Sequence, residues 1–126
     1  MIITEIKQID SLVEQVFANG NSIVSVDAND YNTIKTQSAS LKAVTLDASE
    51  WDEVGALDGE LKEAGAGATN VLIHLGASDA GAVSMAQMRM LLDMIHSNTD
   101  NANVVWGVYE TETSAFKILV VLGYSD

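Results

Sequence analysis

Asn70-Val-Leu-Ile-His-Leu75 decides how the chain is read. Its length is that of a strand, and it carries apolar residues on both alternating faces, as a strand covered on both sides does. Working outward, Gly65-Ala66-Gly67 precedes it and reads as a helix stop, since glycine accepts the left-handed conformation found there. The helix that ends there begins at Ser49-Glu50-Trp51-Asp52, a hydroxyl at the cap with a carboxylate three residues on. Its buried stripe is Trp51, Val54, Leu57 and Leu61.

Gly76 to Ala82 is a small-residue loop, and Val83 to Ser97 is the clearest helix, with Met88, Leu91, Leu92 and Ile95 on one side. Asn103 to Tyr109 and Phe116 to Leu122 are the last two strands, joined by the short polar stretch Glu110 to Ala115. So short a connection predicts an antiparallel hairpin. Toward the N-terminus, Lys42 to Leu46 reads as a strand and Ile23 to Asp27 as a short β-type run. Asp27 to Asn32 is a polar loop that opens a second helix reaching about Ser38. Ile6, Ile9, Val13 and Val16 set an amphipathic helix over residues 3–18, stopped at Asn19-Gly20. The order is helix, loop, helix, then β-α-β-α-β-β. It predicts the α+β class: a two-layer, mixed four-stranded sheet with an N-terminal helix.

The 126 residues are 48% apolar, enough for one domain with a core. There is no cysteine, which excludes disulfides and thiolate metal sites. The first residues lack a basic start followed by an apolar run, and the longest apolar stretch, Ile118 to Leu122, is far short of a membrane span. The expectation is a cytoplasmic protein. Eighteen acidic residues against six cationic ones give a net charge of −12. The cations Lys7, Lys35, Lys42, Lys62, Arg89 and Lys117 are scattered, so neither nucleic acid nor an anionic membrane is an expected partner. The acidity serves solubility on one reading and a basic partner surface on another.

Three stretches together resemble the C-terminal domain of the FtsZ/tubulin family of cytoskeletal GTPases. Ser22-Ile-Val-Ser-Val-Asp-Ala-Asn-Asp30 is similar to the family's synergy loop, of the type Leu-Ile-Asn-Val-Asp-Phe-Ala-Asp. Ala68-Thr-Asn-Val-Leu-Ile-His-Leu75 is similar to its Gly-Val-Leu-Val-Asn-Ile strand. Ile95-His96, Ala102-Asn-Val-Val-Trp-Gly107 and Lys117-Ile-Leu-Val-Val-Leu-Gly-Tyr124 follow its closing helix and strands. The resemblance places residues 1–20 as the end of the family's core helix and 21–126 as the C-terminal-like domain. The glycine-rich phosphate loop Gly-Gly-Gly-Thr-Gly-Ser-Gly is missing from the sequence, as are the family's Met-Gly-x-Gly and Glu-Asn-Arg-Ala signatures between Gln37 and Asp58. On this reading the chain alone neither binds nor hydrolyses GTP, and no cofactor is expected. The reading expects Phe116–Leu122 to pair with Asn103–Tyr109 and expects no intact nucleotide pocket.

In the family, the synergy loop of one subunit enters the nucleotide site of the next. The matching positions are Asp27 and Asp30, with Ser25 where the family has asparagine. Two carboxylates at a loop–helix junction can polarise water or hold a hydrated cation, but like charge prevents them from binding a phosphate unaided. The simpler role for both is to cap the following helix. His74 reads as a core or edge histidine and His96 as a helix C-terminal one; no third ligand joins either, so no metal site is expected. Met85, Met88, Met90 and Met94 at helical spacing read first as adaptable core; Met90 and Met94 fall on a side different from Met88 and Ile95, which leaves one of the two sides for a partner.

The last two strands are apolar on both faces, and the helix at 3–18 covers one face only in part, which points to self-association. The expected function is therefore a non-GTPase assembly or interaction module that binds itself, as a homo-oligomer, or a tubulin-like partner. The alternative is a small-molecule-binding or enzymatic oligomer with sites at subunit junctions, by analogy with the chorismate-mutase-like fold. With Arg89 the only arginine to clamp a carboxylate ligand, the module is preferred. A third reading is a domain cut from a longer protein.

Overall fold

The computed structural model describes residues 2–18, 21–24, 28–78, 83–99, 102–110 and 116–125, with the side chains of 16–18, 21–24 and 28 left aside. The elements run β1 (Ile2–Ile3), α1 (Ile6–Ala18), β2 (Asn21–Val24), α2 (Ala28–Gln37), β3 (Ser40–Ala48), a 3-10 turn (Trp51–Gly55) leading into α3 (Ala56–Ala64), β4 (Ala68–Ala77), α4 (Met85–Asn98), β5 (Asn103–Glu110) and β6 (Phe116–Tyr124). They form one sheet in the order β1-β3-β6-β4-β5-β2. Only β4 and β5 are parallel; the other neighbours are antiparallel.

The α+β class is as expected, but the sheet has six strands rather than four. The four long strands form its centre, and β1 and β2 add one short strand at each edge. The expected hairpin is not there: β4 lies between β5 and β6, which do not pair. The burial pattern explains why. Every residue of β6 from Ile118 to Tyr124 is buried, so β6 needs neighbours on both sides and runs between β3 and β4. The first half of β5 alternates between exposed and half-buried, as suits a place nearer the edge.

The two-layer arrangement is also corrected, because helices cover both faces. On one face α3 and α4 bring Leu57, Leu61, Met88, Leu91 and Ile95 onto Val44, Val71, Ile73, Leu75, Ile118, Val120 and Leu122. On the other, α1 and α2 bring Ile9, Val13, Tyr31 and Ile34 onto Leu41, Ala43, Leu72, Leu119 and Val121. Alternation along β4 and β6 sends consecutive side chains to opposite cores, which is what the doubly apolar strands require. Each large side chain buried this way contributes about 1.5–3 kcal/mol. α2 finishes the cover that α1 begins, so burial of this sheet does not by itself demand a second copy.

The local signals hold with small shifts. Trp51 to Gly55 forms a 3-10 turn with no side-chain cap, although Glu53 Oε2 accepts from the Ser49 amide at 2.9 Å. The left-handed residue of the Gly65–Gly67 stop is Gly67, at φ +85°. The reciprocal capping box lies at α4: the Ser84 hydroxyl accepts from the Gln87 amide at 3.1 Å, and Gln87 Oε1 from the Ser84 amide at 2.8 Å.

Candidate functional site

Of the three synergy-loop-like positions singled out in the sequence, Asp30 falls among the described residues, in α2. Ser25 and Asp27 lie outside the described residues. Asp30 is half-buried in the first turn of α2, where a carboxylate is favoured by the helix dipole. The helix divides by face. Tyr31 and Ile34 point into the core, while Asn29, Asn32, Thr33, Thr36 and Gln37 line a shallow open depression on the outside. That outer strip is uncharged, in a chain of net charge −12. Amides and hydroxyls there can both donate and accept hydrogen bonds.

What holds α2 in place is a polar tie to α1. The Tyr31 hydroxyl donates to Asp10 Oδ1 at 2.5 Å, and Lys35 Nζ reaches both Asp10 oxygens at 3.1 Å. The Tyr31 bond is the main cause that holds the Asp10 carboxyl below its ordinary range; burial opposes it, and Lys35 adds to the lowering. Burial first, and then Asp10, pushes the Tyr31 hydroxyl upward. Periodicity could not reveal this tie, because its partners are 21 and 25 residues apart.

The histidines fall in different settings. His74 is buried in β4, its ring stacked on Tyr109 at a centroid distance of 3.9 Å. Burial pushes its pKa down to about 4, so the ring is neutral near pH 7. His96 is exposed in the last turn of α4. Among the described residues, no three His, Asp or Glu side chains gather as metal ligands. The methionines divide partly as their spacing suggests: Met88 is core and Met90 is 37% exposed, but Met94, expected on the side of Met90, packs at the margin of the core that holds Met88; Met85 is 73% exposed. Trp106 is half-buried against the core, and Val105 on the opposite face of β5 is 37% exposed.

No family model and no curated protein matches the sequence. Solved structures do. An FtsZ dimer of M. jannaschii in its empty state aligns over 95% of this chain at a TM-score of 0.63 and 16% identity. The W319Y mutant of M. jannaschii FtsZ aligns equally well, also over 95% of this chain and at 0.63, with 18% identity.

The chain has an FtsZ C-terminal-like fold.

It spans about 40% of the length of those FtsZ chains. The expected pairing of Phe116–Leu122 with Asn103–Tyr109 is absent, and the FtsZ alignment holds without it, with β4 between β5 and β6. Among the described residues no helix is long and apolar enough to cross a membrane.

Proposed function

We propose that this chain is a non-GTPase assembly or interaction module that works by binding a tubulin-like protein or a second copy of itself. The observation that carries the reading is the fold match, which accounts for 95% of this chain but 40% of FtsZ. The sequence contains no glycine-rich phosphate loop to supply a nucleotide site of its own. Support for the location of contact comes from α2, whose uncharged outer strip begins within the synergy-loop-like sequence Ser22–Asp30. Both carboxylates would act in trans, orienting water or a cation at a nucleotide held by the partner.

The test adds the purified chain to FtsZ and follows GTP turnover. The reading predicts a change in turnover that is lost when Asp27→Ala and Asp30→Ala are combined. A change that survives the double substitution removes the in-trans role. No change, together with a strict monomer by light scattering at high concentration, removes the module reading.

A further inference from the structure

Both outer strands of the sheet belong to one continuous piece of chain. β1 precedes α1 and closes the edge of β3; β2 follows α1 and closes the edge of β5. Five strand spacings separate β1 from β2, roughly 24 Å. The 13 residues of α1 reach about 20 Å. The helix therefore crosses the sheet as a strap, packed through Ile9 and Val13, with its two ends hooked on opposite edges.

The hooks are unequal. β2 pairs with the end of β5 at three positions, with a register shift between Ser22 and Val24. β1 sets two residues on β3, Ile2 opposite Val44 and Ile3 opposite Ala43, whereas the inner side of β3 pairs with β6 at all nine positions. Among the described residues, no other strand lies on the outer edge of β3. A partly covered edge of this kind is a template for another strand. Lifting β1 gives up two ladder positions, the packing of Ile3 in one core and that of Ile2 at the margin of the other, while α1 and the Asp10–Tyr31 tie stay in place.

We propose that β1 is a releasable edge guard, and that its release lets β3 pair antiparallel with β3 of a second copy across a two-fold axis. The second copy is the occupant because the edge is self-complementary. Centred on Val44, the pair sets Ala43 opposite Thr45, Lys42 opposite Leu46 and Leu41 opposite Asp47 of the other copy. Lys42 and Asp47 are the only charged residues of β3, so this edge is neutral in a chain of net charge −12, and no like charges face each other. This inference rests on the self-association half of the proposed function and gives it a surface.

The native chain has no cysteine, so introduced thiols report cleanly. Ile2→Gly plus Ile3→Gly releases β1, and a spin label on Asp47→Cys reads the geometry. The expected result is a dimer at least tenfold tighter than that of the parent chain. Its label separation is on the order of 20 Å, six residues along a strand. A second variant, Ile2→Cys with Val44→Cys, ties β1 down when oxidised, and dimer formation should fall on oxidation and return on reduction. A glycine variant that folds and stays monomeric overturns the edge guard. So does a dimer without that label distance, or a tied protein that associates equally in both redox states. If the glycine variant does not fold, the tied variant decides. If association or FtsZ binding persists regardless of β1, the edge guard falls and the module reading stands.

Discussion

The Tyr31 hydroxyl donates a 2.5 Å hydrogen bond to Asp10 Oδ1, and with the Lys35–Asp10 ion pair it ties α2 to α1. Tyr31→Phe keeps the ring in the core and removes the bond. We expect a loss of about 1–2 kcal/mol at pH 7, read by urea denaturation. The pH dependence has a definite sign. Asp10 is held below its ordinary value, so its contribution is full above the unfolded value near pH 4, roughly, and is lost as pH falls through the lower folded value. Tyr31 is held above its ordinary value, so stability is lost as pH rises beyond that ordinary value of 10.0. Tyr31→Phe should abolish its share of the alkaline loss.

His74 gives the second pH window. Its folded pKa of about 4 lies below the ordinary 6.5, because burial disfavours the charged ring. The unfolded chain takes up the proton first, so stability is full above pH 6.5 and drains away between 6.5 and about 4. The loss from this residue is about 3 kcal/mol by the lower end. His74→Phe preserves a ring against Tyr109 and should flatten the profile across that window. An equal slope in the variant would show that another group titrates there.

Two glycines near α3 should respond with opposite signs. A Cβ at Gly65 would lie 2.5 Å from the Asn98 carbonyl oxygen and 2.6 Å from that of Leu61, both backbone atoms. The ends of α3 and α4 meet at this point, so Gly65→Ala should cost about 2 kcal/mol or more. Gly59 is exposed inside α3, with nothing within 4 Å of its Cβ position. Gly59→Ala should gain about 0.5–1 kcal/mol, by helix propensity alone. Thermal denaturation of the two variants side by side reads both.

Tyr124 closes the other end of the sheet, its hydroxyl donating to the Ala64 carbonyl at the end of α3. Tyr124→Phe leaves that buried carbonyl one donor short. The expected cost is about 1–2 kcal/mol, measured by the same denaturation, with no change in the far-ultraviolet circular dichroism of the native state.

Much of this architecture could be read from periodicity, and the misreadings have physical causes. The doubly apolar run Asn70–Leu75 marked a central strand, and it lies between two long neighbours. The same property of Phe116–Leu122 held the clue to its central place, but a short connector suggested pairing with β5 instead. Connector length limits which strands can be adjacent; burial on both faces decides which must be central. Ile2–Ile3 and Asn21–Val24 were hard to assign to the sheet because strands of two and four residues carry almost no alternation. Around the candidate site, the two-faced character of α2 follows from Tyr31 and Ile34 at helical spacing. Its tie to Asp10 depends on tertiary folding and leaves no local trace.

The central proposal is that this FtsZ C-terminal-like chain, whose sequence carries no phosphate loop, engages a tubulin-like polymer. Co-sedimentation tests it most directly: FtsZ is assembled with GTP, the chain is added, and the pellet is assayed. The account predicts that the chain pellets with the filaments in a saturable manner and stays in solution when GTP is withheld. A chain that remains in the supernatant at every filament concentration contradicts it.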